Sequence, residues 1–136
     1  AEVVAVNKEE AERILEIGET GIKELLEKMR ALGPKIALIT DGTNGAYASD
    51  GAQVLKVPMY PDQSPPANRT GAGDAMTSTF VAALALGKSL EEALLWGPVN
   101  SMSVVQHIGA QKGLLTRAEL EKLLTSAPAE YRVLPL

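Results

Sequence analysis

The chain has no cysteine and a single histidine. It can therefore build neither a disulfide framework nor a thiolate zinc site, and a cluster of several histidines around a metal is excluded. Any metal must be held by oxygen. No uninterrupted apolar run approaches the ~20 residues needed to cross a bilayer, which argues against a membrane protein. Residues 1–6 have no basic segment and are too short for the apolar core of a signal peptide, so a cytoplasmic protein is expected. The 13 Lys and Arg are scattered and outnumbered by 17 Asp and Glu, for a net charge of −4. A basic stripe able to follow a nucleic-acid backbone is missing, and nucleic acid is not expected as a partner. What is there, 136 residues with 46% hydrophobic and 22% charged, fits one globular domain over residues 1–136 with a single core.

Residues 1–6 form a short β-branched run, and after Asn7-Lys8-Glu9-Glu10 the apolar residues recur at helical spacing, which predicts a strand and then a helix. A second helix over residues 21–32 would place Ile22, Leu25, Leu26 and Met29 on one face and stop at Gly33-Pro34. Ile36-Ala37-Leu38-Ile39 reads as a buried strand, and residues 46–49 and 53–57 as a hairpin across Asp50-Gly51. Residues 58–67 carry four prolines and must be a surface loop. Beyond it, residues 75–86 predict a helix ending at Gly87, and Ser89-Leu90-Glu91-Glu92 has capping-box spacing for the next one. Gly97-Pro98 should break or kink that helix before it resumes to about residue 107, because proline removes an internal hydrogen bond. Thr116 with Glu119 is another capping box, opening a last helix to about residue 124. The order β-α-α-β-β-β, then helices, indicates an α/β layered fold.

The chemistry concentrates at Thr70-Gly71-Ala72-Gly73-Asp74-Ala75. Small residues opening a helix let several backbone N–H groups point at one spot, which suits an anion. A carboxylate directly after such a nest can take a proton from a hydroxyl that attacks a phosphorus held by the amides. The plainer reading is that the glycines permit tight packing and Asp74 complements the helix dipole. Trp96, Met102 and Val105 read as core positions, and His107 as a residue near a helix C-terminus. Asn100 and Ser103, one helical turn apart, either face an adenine or are simply polar surface.

The stretch from Asn68 to Met76 resembles the D-T-x-G-A-G-D-x-F signature of the ribokinase-like (PfkB) carbohydrate kinases. Three weaker matches follow the family's order: Asn7-Lys8-Glu9-Glu10 is similar to its N-x-x-E, Thr40-Asp41-Gly42-Thr43-Asn44-Gly45 to its T-x-G-x-x-G, and Asn100 with Gly109-Ala110-Gln111 to its nucleotide-side helix and G-A-Q turn. The resemblance implies a ribokinase-like layered fold, C-terminal part only, with a mixed sheet, a hairpin and flanking helices. It implies Asp74 as the base on a sugar hydroxyl, and Gly71, Ala72 and Gly73 as an anion hole. Thr40, Gly42 and Gly45 would line the ATP phosphates, and Asn7 and Glu10 would act on Mg²⁺ through ordered water. Asn7 and Glu10 also have the spacing of a helix capping box.

Two departures qualify these expectations. Asn68 stands where the family has Asp, beside Arg69, and a neutral amide next to a guanidinium weakens the family's monovalent-cation site. Arg69 is instead a candidate phosphate contact. The resemblance also implies a missing N-terminal half that supplies most of the sugar pocket and its lid, so the chain by itself is expected to be a poor kinase and to self-associate through an uncovered sheet edge. The expected activity is ATP-dependent phosphorylation of a sugar or nucleoside hydroxyl. An ATP- or ADP-sensing module without chemistry, and a purely structural domain, stand as alternatives.

Overall fold

The structure, a computed structural model, describes residues 3–14, 21–61, 72–105 and 116–136. Strand β1 (Val3–Asn7) runs directly into helix α1 (Lys8–Ile14), and α2 (Ile22–Ala31) leads to β2 (Ile36–Thr40). A short 3₁₀ turn at Gly42–Asn44 precedes the hairpin of β3 (Ala46–Ser49) and β4 (Val54–Val57). Helices α3 (Ala72–Ala85), α4 (Leu90–Val105) and α5 (Arg117–Thr125) follow, and the chain closes on a two-residue strand β5 (Leu134–Pro135). The expected order of strands and helices is the order observed up to β5.

The five strands lie side by side in sequence order. β1 and β2 are parallel, joined by the α1–α2 crossover, and the remaining pairs are antiparallel. The sheet is therefore mixed, with β1 outermost on one side.

β2 is apolar from Ile36 to Ile39 because both its faces are covered there, as a strand sandwiched between helical layers requires. Ala37 and Ile39 point into a cluster with Ala11, Leu25, Leu26 and Met29 from α1 and α2. Leu38 points the other way, into a larger cluster that includes Phe80 of α3 and Leu94, Val99 and Met102 of α4. Trp96 is buried in that second cluster, as expected, and has two cations near its ring: Lys88 Nζ at 5.6 Å and the Arg117 guanidinium at 5.8 Å from the centroid. Among the described residues no helix is long and apolar enough to cross a membrane.

The expected break at Gly97-Pro98 is not found. α4 is a single 16-residue helix that continues through Gly97-Pro98. A buried tyrosine lies against the same turn. Pro98 has no N–H for the Leu94 carbonyl, and its ring crowds that turn; the next carbonyl, that of Leu95, accepts a hydrogen bond from the Tyr131 hydroxyl. Burial pushes the Tyr131 phenol far above its ordinary pKa, with the neighbouring Tyr60 adding to the shift, so it stays a neutral donor. Gly97 allows the close contact of α4 with α3, since a Cβ there would lie 2.9 Å from Met76 Cγ and 3.2 Å from Met76 O.

The segment after α5 is a strap that composition alone did not reveal. Tyr131 packs edge-on against Tyr60, with centroids 5.0 Å apart, and the Tyr60 hydroxyl donates to Leu123 O at 2.9 Å. Leu136 N then donates to Val54 O at 2.8 Å, adding β5 to the sheet beside β4.

α5 opens with the anticipated capping box, Thr116 Oγ1 accepting from Glu119 N at 3.2 Å and Glu119 Oε1 accepting from Thr116 N at 3.0 Å. Those bonds, first from the Thr116 backbone N–H and then from its hydroxyl, hold the Glu119 carboxyl below its usual pKa. A depressed carboxylate pKa stabilises the fold above the unfolded value and loses that contribution as pH falls through the folded one. The stability of the protein should thus fall on acidification below about pH 4.5, and Glu119→Gln should flatten that part of the curve of denaturation midpoint against pH.

Gly45 offers a second test. Its φ is +99°, and a Cβ would sit 2.0 Å from Val57 O. Gly45→Ala should cost ~3 kcal/mol, combining a left-handed backbone with overpacking, read as a lowered urea midpoint.

Candidate active site

Asn7 is the last residue of β1, and the parallel register sets it opposite Thr40, the last residue of β2. Both strands end at the same edge, which is where open α/β sheets leave a crevice for ligands. Asn7 also closes the first turn of α1: its Oδ1 accepts from Glu10 N at 2.7 Å while Glu10 Oε1 accepts from Asn7 N at 3.0 Å. The reciprocal cap expected from the N-x-x-E spacing is present, and it fixes the orientation of both side chains.

Beyond Thr40 the chain turns through Asp41. Asp41 N donates to Gly45 O and Asn44 N to Asp41 O, each at 2.9 Å, while Asn44 Nδ2 reaches Asp41 Oδ2 at 3.4 Å. Gly42 takes φ +53°, a left-handed conformation that suits glycine. Behind the turn, the Tyr47 phenol is raised above its ordinary pKa by burial and by the Asp41 carboxylate, against an opposing effect of Lys8.

α3 begins at Ala72, three residues earlier than its apolar pattern suggests, so Gly73 and Asp74 are exposed in its first turn. The small residues of the G-A-G-D segment thus do open a helix.

These pieces meet around two cavities that share Asn7, Thr40 and Gly73 and therefore adjoin. The larger, of about 540 Å³, is bordered also by Lys8, Asp41, Gly42 and Ser101. The smaller, of about 450 Å³, takes in Glu10, Asp74, Thr77 and Ser78. Asn7, Glu10, Thr40, Gly42, Gly73 and Asp74 are thereby gathered from three separate stretches of chain.

Other candidates lie elsewhere. Gly45 lines neither cavity; its Cβ position is filled by the backbone of Val57, so its glycine serves the turn. Asn100 is buried and donates from Nδ2 to Thr79 Oγ1 at 2.8 Å, tying α4 to α3, and Ser103 is buried as well. The position on α4 that does reach the larger cavity is Ser101. Gly71, Asn68, Arg69, His107 and the Gly109-Ala110-Gln111 turn lie outside the described residues, and Ala72 is described through its backbone alone.

Sequence reasoning also missed Lys8, Asp41, Met59 and Met76 of the larger cavity. Met76 and Thr77 follow Gly73 by three and four residues, so helical spacing would have found them. Met59 sits in the proline-rich segment, where no periodicity exists to read.

A family model, pfkB family carbohydrate kinase, matches residues 1–117. The chain belongs to the pfkB family. Among curated pfkB relatives, a ribokinase of Bacillus subtilis is 39% identical over 95 residues, covering 70% of this chain and 32% of that protein. A cytidine kinase of Thermococcus kodakarensis is 28% identical over 110 residues, covering 79% of this chain and 38% of that protein. Among solved structures, Arabidopsis thaliana ribokinase complexed with ribose and ATP superposes with a TM-score of 0.81 at 28% identity, over 90% of this chain and 40% of that one. The nucleoside kinase of Methanocaldococcus jannaschii, an archaeal ribokinase-family member, gives 0.78 at 25%, over 93% and 40%. The ribokinase-like fold expected from the motifs is thus found, and the chain spans about a third of the length of the curated pfkB relatives it matches.

The cap and any ligand role of Asn7 and Glu10 can be separated. Asn7→Ala should cost ~1 kcal/mol through loss of the α1 cap. Glu10→Gln keeps an acceptor oxygen and should change stability by less than ~0.5 kcal/mol while removing the charge from the smaller cavity. Paired urea melts of the two variants check this.

Proposed function

We propose that this chain forms the nucleotide-binding and catalytic-base part of a kinase that transfers the γ-phosphoryl group of ATP to a hydroxyl of a sugar or nucleoside. The observation that carries this reading is the meeting of Asn7, Glu10, Thr40, Gly42, Gly73 and Asp74 at two adjoining cavities in a pfkB-family chain.

Asp74 acts as the base. Exposed on the first turn of α3, it accepts the proton of the acceptor hydroxyl as that oxygen bonds to the γ-phosphorus. The bond from the γ-phosphorus to the β–γ bridging oxygen breaks, and ADP leaves. Backbone N–H groups of Ala72 and Gly73, in the first turn of α3, stabilise the negative charge on the transferring group. Thr40 and Gly42 hold the phosphate chain, glycine allowing close backbone approach and the hydroxyl donating a hydrogen bond.

The donors in the smaller cavity suit Mg²⁺, because Asn7, Glu10 and Asp74 offer hard oxygen ligands. Asn7 and Glu10 would hold the ion through retained water, as a small hard cation that dehydrates reluctantly prefers. When bound, Mg²⁺ supplies charge neutralisation at the phosphate oxygens. A monovalent cation is not part of the reading, given the neutral Asn68.

The match covers about a third of the curated relatives, and the remainder of such a chain would supply the acceptor pocket and the closure that excludes water. Positioning is most of what phosphoryl transfer asks of a protein, so this portion by itself should transfer little phosphate. Relatives named for ribose and for cytidine keep both sugars and nucleosides within the acceptor class.

In the full-length protein, Asp74→Asn should lower kcat by ~100-fold to ~10,000-fold with the ATP dissociation constant little changed. Steady-state kinetics together with calorimetric ATP binding read both quantities. Unchanged turnover would exclude Asp74 as the base and favour a nucleotide-sensing role.

A further inference from the structure

We propose that Lys8 binds the terminal phosphate groups of the nucleotide in the larger cavity and so makes the site prefer a nucleoside triphosphate over shorter forms. The inference rests on the nucleotide reading above and gives a role to a variable position of the N-x-x-E stretch, to which the motif assigns none.

Charge is divided unequally between the two cavities. Around the smaller one the charged side chains are the carboxylates Glu10 and Asp74. Around the larger one they are Glu9, Asp41 and Lys8, which makes Lys8 the one cation among the described residues lining either space. Without it, the charged side chains that the described residues offer a polyphosphate there are the carboxylates Glu9 and Asp41.

Lys8 is also well placed to act. It is the first residue of α1, directly after Asn7, whose backbone is held by the pairing with Thr40 and by the bond to Glu10 Oε1. The stem of Lys8 is half-buried. Its charge acts on Tyr47 in opposition to Asp41, so it and Asp41 flank the same end of the sheet. Among the described residues no carboxylate forms an ion pair with Lys8; the Asp41 carboxylate is engaged by the Asn44 amide. An ammonium with three rotatable donors and no carboxylate partner suits a phosphate oxygen. A volume of about 540 Å³ falls within the ~300–1,000 Å³ usual for small-ligand sites.

The test compares Mg-ATP and adenosine binding by calorimetry in full-length wild type, Lys8→Met and Lys8→Arg, with circular dichroism to confirm folding. Lys8→Met should weaken ATP binding ~10-fold, the effect of losing one hydrogen bond to a charged group, and leave adenosine binding unchanged. Lys8→Arg should recover most of the ATP affinity. An unaltered ratio of ATP to adenosine affinity in Lys8→Met would overturn the proposal, whether both affinities hold or both fall. A wild-type protein that binds neither ligand would overturn the nucleotide reading itself. Wild-type binding with an indifferent Lys8→Met variant removes only Lys8.

Discussion

The parallel pairing of β1 with β2 is the constraint on which the rest of the site depends. It sets Asn7 against Thr40, and each begins a segment that reaches the cavities: Asn7 the first turn of α1, Thr40 the 3₁₀ turn. A slip of one residue would turn every side chain of β1 to the opposite face. The register is protected because Val4 and Val6 pack with Ala37 and Ile39 on the α1–α2 side, while Val3 and Ala5 pack toward Leu38 on the other. Hydrophobic burial within the two layers thus decides which polar groups stand together at the end of the sheet.

The opposite layer depends on how closely α3 and α4 approach. Gly97 removes the side chain that would meet Met76, and the Tyr131 hydroxyl donates to the Leu95 carbonyl two residues before it. Tyr131 belongs to the strap beyond residue 117, where the family match ends. That strap secures α4 through Leu95, α5 through Tyr60 and Leu123, and β4 through Leu136. Since Met76 and Ser101 line the larger cavity from α3 and α4, a distant tyrosine contributes to the shape of the site by holding the helices that carry it.

The legible parts of the sequence were those governed by local rules. Capping boxes at Asn7/Glu10 and Thr116/Glu119 were readable because each needs only four consecutive residues. The continuous apolar run of β2 and the Asp50-Gly51 turn were readable for the same reason. Pro98 misled as a stop signal because α4 is buried on both sides of it, at Leu94, Trp96, Val99 and Met102, and that tertiary packing outweighs one missing helix hydrogen bond. β5 was invisible because two exposed residues carry no period. Within the candidate site, some motif residues border the two cavities and others do not. The turn between Thr40 and Gly45 does border a cavity, yet Gly45 serves the backbone; α4 does reach the cavity, yet through Ser101 rather than Asn100 or Ser103. The rotation of a helix about its axis is set by tertiary packing, which a spacing of three residues does not reveal.

Asn7 and Glu10 illustrate why structure and chemistry are hard to separate here. Each uses one side-chain oxygen to complete the other's backbone bond, and each also borders the smaller cavity beside Asp74. A carboxylate already fixed by a backbone N–H loses little further freedom when a ligand arrives, so the cost of ordering it falls on folding instead of on binding. The same economy applies to Lys8, whose position follows from the cap on either side of it. A site assembled in this way is as rigid as the helix end that forms it, and a substitution that weakens the cap disorders the ligand-facing oxygens with it. Function and stability should therefore change together at Asn7, and separate only in variants such as Glu10→Gln that keep the bond and alter the charge.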